Sequence, residues 1–183
     1  MKATGIGRRI DDLGRVVIPK EIRRTMRIRE GDPLEIYTDR EGEVIFKKYS
    51  PIGELTNFSA QYAETLHKVC ELSVIITDRD TVIAVSGLPK KEYMDKRISA
   101  ELEGVIESRS MYSYTAGEQK LLATNDGRDN HFVSCAVPII TEGDIIGCVV
   151  SMLPIDSAGN EKSEVETKLV QTAANFLSKQ LES

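Results

Sequence analysis

Cysteine, histidine and long apolar runs are scarce in this chain, and each shortage closes off a class of function. Three cysteines, Cys70, Cys135 and Cys148, stand among 183 residues. They are odd in number, none is spaced as CxxC, and all have apolar neighbours. Buried free thiols in a reducing cytoplasm are therefore expected, not a disulfide frame. The two histidines, His67 and His131, stand alone. His131 and Cys135, four apart in a predicted strand, would share one face yet lie too far apart to hold a small ion. No metal and no cofactor are expected. Apolar runs stay short of the roughly 20 residues that span a bilayer. The opening MKATGIGRRI lacks the apolar centre of a secretory signal. A soluble, cytoplasmic protein without a membrane partner is expected.

Catalytic machinery is missing as well. No glycine-rich turn enters a helix to cradle a phosphate, and no Ser or Cys stands beside an oriented base. Asp78, Asp80 and Asp95 are scattered and read as turn or capping residues. No enzymatic activity is expected.

What is present is ordinary globular composition, 40% hydrophobic and 29% charged, with charge unevenly spread. Residues 1–29 hold nine Lys and Arg against three acids, whereas the chain from Ser50 onward holds 12 basic and 20 acidic residues. A basic end on a chain of net charge −5 points to an anionic partner for that end.

Patterning divides the chain into a small and a larger domain, 1–52 and 53–183. Residues 4–10 alternate as a strand, 11–14 form a turn around Gly14, and 15–18 read as a second, apolar strand. Pro19 fits the first position of a helix over 20–26, with Ile22 and Met26 on one face and Arg23 and Arg24 away from it. Residues 34–38 and 44–48 form a hairpin. About fifty residues of short strands and one short helix bury too little surface to stand alone, and neither disulfide nor metal compensates. The apolar strand 15–18 needs a partner, so an obligate dimer follows, its two-fold axis matching the near-symmetry of duplex DNA.

The run LGRVVIPKEIRR followed by GDPLEI closely resembles the AbrB-type swapped-hairpin DNA-binding domain, and the resemblance covers residues 1–52. It implies a β-barrel made by two chains interleaving their hairpins, with a basic surface on double-stranded DNA. It also implies Arg8, Arg15, Arg23 and Arg24 as contacts, with Arg9 where relatives carry a basic residue. A guanidinium is always charged and can pair two donors with a phosphate or a guanine edge. Arg27 and Arg29 read instead as solubilising residues. Gly7 departs from the pattern, since relatives commonly have an apolar residue such as valine there, and it weakens the first strand or the dimer.

The larger domain alternates helix 54–70, strands 73–77 and 82–86, helix 98–107, strands 132–140 and 145–152, and helix 163–181. An antiparallel sheet flanked by such helices is an α+β sandwich. Leu55, Phe58, Tyr62, Leu66 and Val69 form the stripe of the first helix; Val165, Leu169, Ala173, Phe176 and Leu177 form that of the last. These stripes fit either their own sheet or a helical bundle joining two dimers into a tetramer.

The segment VPIITEGDIIGCV, residues 137–149, resembles the final hairpin of GAF sensor domains. A related sensor class, PAS, shares the earlier hairpin and stays open beside it. GAF domains often enclose a small ligand, although the motif of the cyclic-nucleotide binders is absent. An AbrB-type head before a GAF-like tail resembles a group of sporulation regulators of spore-forming Firmicutes. It implies a transcription regulator, activator and repressor, of late forespore genes. The alternative is an antitoxin-like autoregulatory DNA-binding protein, which the patterned, apolar tail disfavours.

Overall fold

The structure is a computed structural model that describes residues 4–125, 130–157 and 164–182. The chain divides into two compact units, Met1–Tyr49 and Ser50–Ser183. The first contains helix α1 (Lys20–Met26) and strands β1 (Leu34–Thr38) and β2 (Val44–Lys48). The two strands pair antiparallel from Leu34↔Lys48 to Thr38↔Val44. Asp39 shapes the connection, its Oδ1 accepting the N–H groups of Glu41 at 3.0 Å and Glu43 at 2.8 Å.

The strands expected over 4–10 and 15–18 do not form in this single chain. A strand needs a ladder, and here the start of the turn meets the second segment through one bond between backbone groups, Asp11 N–H to the Arg15 carbonyl at 3.1 Å. Their apolar side chains are open to solvent: Ile10 is 69% and Val17 71% exposed. Interleaved hairpins would take both ladder and cover from a second copy, so one chain leaves them as extended backbone.

The second unit is a three-layer α+β sandwich. Its sequence runs α2 (Pro51–Glu54), α3 (Thr56–Cys70), β3 (Ser73–Thr77), β4 (Val82–Ser86), α4 (Lys90–Tyr93), α5 (Ala100–Glu107), β5 (Tyr112–Ser113), β6 (His131–Thr141), β7 (Asp144–Pro154) and α6 (Glu164–Leu181). The expected 52/53 boundary falls inside α2, whose Ile52 is fully buried in this unit's core. All strand pairs are antiparallel, in the order β4-β3-β7-β6-β5. β6 and β7 turn through Glu142 and Gly143, both at positive φ, as a two-residue hairpin requires.

One face of the sheet packs on α2, α3 and α6 through Ile52, Leu66, Val74, Ile76, Ile139, Val149, Ala173 and Leu177. The other packs on α4 and α5 through Ile75, Tyr93, Ile98, Leu102, Val133 and Val150. α5 begins at a true cap: Ser99 Oγ accepts the Leu102 N–H at 3.0 Å.

Two expectations about faces need correction. The expected stripes are only partly the buried faces: Leu66, Ala173 and Leu177 are buried as expected, joined by Val170 and by the small residues Ser59 and Ala63 on α3 and Ala174 and Ser178 on α6. The small residues among them let the helices approach the sheet closely, whereas Val69 and Val165, expected on the stripes, are 75% and 67% exposed. Second, the register shifts between Val133 and Cys135, a bulge that changes the alternation of β6. His131 meets the Tyr93 ring at 6.4 Å, whereas Cys135 lies in the opposite cluster under α6. The two therefore do not share a face.

Candidate nucleic-acid interface

Arg8, Arg9, Arg15, Arg23 and Arg24 are all exposed in the first unit. The first three flank the turn at residues 11–14, and the last two lie on α1. No hydrogen bond or ion pair joins the two groups among the described residues, as like charges dictate.

The turn is built by Asp11. Its Oδ1 accepts the N–H groups of Leu13 at 3.0 Å and Arg15 at 2.7 Å, while its Oδ2 accepts Arg15 Nε–H at 2.7 Å. Gly14, at φ 76°, closes the turn by donating its N–H to the Asp11 carbonyl at 3.0 Å. The Arg15 backbone N–H, then its guanidinium, then the Leu13 N–H stabilise the charged carboxylate. They hold Asp11 below the ordinary aspartate range against a smaller opposing effect of burial. Arg8 lends one terminal nitrogen to the Gly7 carbonyl at 3.2 Å.

α1 is held at both ends. Pro19 is buried and precedes the first helical residue, at the cap and not at the first helical position, and its carbonyl accepts the Arg23 N–H at 2.9 Å. At the other end Arg27 takes a left-handed conformation, φ 51°, and the Ile28 N–H returns to the Arg23 carbonyl at 2.8 Å. Lys48 of β2 donates to the Arg27 carbonyl at 3.0 Å and stands 3.9 Å from the Asp32 carboxylate. Asp32, whose side chain is 4% exposed, also accepts the Arg29 N–H at 2.8 Å. The helix bearing Arg23 and Arg24 is thus fastened to the hairpin, and Arg27 and Arg29 sit half-buried at that fastening.

Asp11, Asp32 and Lys48 were not singled out by the sequence reading. Asp11 had a local signal, an aspartate three residues before a turn glycine. Lys48 had none, since its contact with residue 27 spans the unit.

The second unit carries an open cleft of about 500 Å³ lined by Ser99, Tyr112, Lys120, Leu121 and Asn125 among others. Its polar groups are engaged: Ser99 Oγ donates to the Leu122 carbonyl at 2.7 Å, Asn125 to that of Ile98 at 3.3 Å, and Lys120 to that of Ser157 at 2.8 Å. No cluster of metal-ligating residues occurs among the described residues.

Comparison with known proteins decides the family. The model for the C-terminal transcription factor domain of stage V sporulation protein T matches residues 54–182. Stage V sporulation protein T of Bacillus subtilis is 55% identical over 183 residues, covering 100% of this chain and 99% of that relative. The chain belongs to the stage V sporulation protein T family.

It shares that family's transcription-regulator character and an α+β fold, an AbrB-type swapped-hairpin head before a GAF-like unit. Residues 8–53 also match the model for MazE, a bacterial antitoxin. The transition state regulatory protein AbrB of B. subtilis is 63% identical over 108 residues, 59% of this chain and 96% of that protein. The solution structure of AbrB's N-terminal DNA recognition domain is 61% identical over 28% of this chain and 94% of its own, with a TM-score of 0.25. A GAF domain from an Acinetobacter phosphotransferase matches 70% of this chain and 82% of its own at 14% identity and a TM-score of 0.57, a likeness of fold alone.

Proposed function

We propose that the first unit binds double-stranded DNA as a strand-exchanged dimer through Arg8, Arg9, Arg15, Arg23 and Arg24, regulating sporulation genes. One observation carries the reading. All five guanidinium groups are exposed, and among the described residues only that of Arg15 is engaged by a carboxylate. A folded domain that keeps so many cations unneutralised on one short segment is suited to a polyanion. The description of the 61% identical AbrB domain as a DNA recognition domain supports it. Two copies double the set across a two-fold axis, the symmetry of many operators. The exposed Ile10 and Val17 favour the strand-exchanged pair that would cover them.

The test is a mobility shift with duplexes selected from genomic DNA. Arg23→Ala with Arg24→Ala abolishes the shift while the melting temperature holds, and unchanged binding overturns the reading. Counting Arg8, Arg15, Arg23 and Arg24 of each chain as phosphate contacts, eight per dimer give a log–log salt slope on the order of −7.

The second unit, in this reading, pairs two dimers into a tetramer through α3 and α6 and takes a small ligand that tunes DNA affinity. Exposed Val69, Val165 and Phe176 support the pairing, and the cleft at Tyr112 and Lys120 supports the ligand. This reading includes a late, forespore and cytoplasmic setting, supported by the kinship with stage V sporulation protein T. An antitoxin-like autoregulator is the second reading, favoured by the MazE match over residues 8–53. The folded core of the second unit, unlike a toxin-wrapping tail, weighs against it.

A further inference from the structure

Asp11 is an unexpected charge for a surface meant to meet phosphates. It lies among Arg8, Arg9 and Arg15, where a carboxylate repels a polyanion. The turn itself does not require that charge. Oδ1 alone accepts both backbone donors, from Leu13 and Arg15, and an asparagine carbonyl would do the same. The second oxygen has a different use, the 2.7 Å bond from Arg15 Nε–H. A guanidinium has five N–H donors in a rigid fork, and holding Nε leaves the four donors on its two terminal nitrogens. The Arg15 side chain is 70% exposed, and no partner for those nitrogens is found among the described residues.

We infer that Asp11 is a positioning residue for DNA recognition: its Oδ2 holds Arg15 by Nε so that the terminal nitrogens present a preorganised pair of donors. The inference rests on the proposed DNA-binding reading. Arginine is flexible, and immobilising such a side chain on binding costs affinity that a prior tether removes, roughly twofold to tenfold per side chain. Across the two copies of a dimer the effect multiplies. Asp11 thus trades non-specific attraction for directional contact. Its carboxylate weakens attraction to any phosphate backbone while sharpening a contact that can read a guanine edge. The depressed proton affinity of Asp11 agrees with a carboxylate kept charged by the groups it organises.

The experiment uses the full chain and two probes, a duplex selected from a random pool by the parent protein and a scrambled duplex of equal composition. Asp11→Asn keeps the turn acceptor and replaces the oxygen that holds Nε with a donor. It should weaken the selected duplex about tenfold while binding the scrambled one as well as the parent or better. In an Arg15→Ala background the same change should cost nothing further on the selected duplex, the signature of one residue acting through another. Nitrogen-15 spectra supply a readout independent of binding: an Arg15 Nε–H resonance protected in the parent and lost in Asp11→Asn. Equal affinity of parent and Asp11→Asn for the selected duplex, or an undiminished loss in the Arg15→Ala background, overturns the inference and leaves DNA binding standing. A parent chain that does not distinguish the duplexes overturns the DNA-recognition reading and the inference with it.

Discussion

The Phe176 ring of α6 stacks on the Phe58 ring of α3, centroids 5.6 Å apart and planes inclined by 22°. Tyr62 stacks on Phe176 as well, at 5.2 Å. The three rings join α3 to α6, and Phe176 remains 37% exposed, with Val69 on α3 and Val165 on α6 exposed as well. Phe176→Asp places a charge on the surface proposed to pair dimers. Light scattering at micromolar concentration should give a tetramer for the parent and a dimer for the variant. A plain dimer for the parent refutes the assembly.

Gly147 admits no side chain. A Cβ there would lie 2.0 Å from the Thr77 carbonyl oxygen and 3.2 Å from the Asp78 Cα, both backbone atoms of the neighbouring strand region. Neither can move without breaking the β3–β7 ladder. Gly147→Ala should destabilise the second unit by about 3 kcal/mol or more, read as a lower denaturation midpoint. Unchanged stability would show that the strands separate freely at that point.

The thiols should differ in reactivity. Cys135 and Cys148 are 2% and 0% exposed, whereas Cys70 is half-buried. Burial first, and then the Glu166 charge, push the Cys135 thiol from 9.0 up to about 11. Burial pushes that of Cys148 up further. Iodoacetamide at pH 8 should label Cys70 alone in the native chain and all three cysteines in denaturant, counted by mass spectrometry. Because the folded state holds these protons more tightly, their contribution to stability is complete below pH 9. It falls as the pH rises toward 11, where unfolded thiols ionise first.

Gly7 is open on all sides in one chain, nothing lying within 4 Å of a Cβ built there, and its φ is not positive. Gly7→Ala should raise stability by about 0.5–1 kcal/mol, a melting shift of a few degrees. A drop would mean that a second copy packs against this position.

The second unit was highly legible in its sequence. β3 and β4 occupy the expected 73–77 and 82–86, and α6 follows its 3.6-residue period to Leu181. Dense runs such as Ser73–Thr77 report burial directly, because such residues have nowhere else to go. The short β5 and α4 were missed, having two and four residues and no period to read. Which stripe faces the sheet was also hidden. Ala173 and Phe176 are both apolar, and only the closeness of helix to sheet selects the smaller one.

The first unit shows the reverse. Its arginines, its turn glycine and its need for a partner were written locally, in the run from Arg8 to Arg24. The amino-acid sequence by itself determined the elements, the basic head and the acidic second unit, since period, turn chemistry and charge are properties of neighbouring residues. Tertiary structure alone decided that His131 and Cys135 part company at a bulge and that Lys48 fastens α1. Such contacts depend on distances of an ångström or less between groups whose spacing along the chain carries no trace of them.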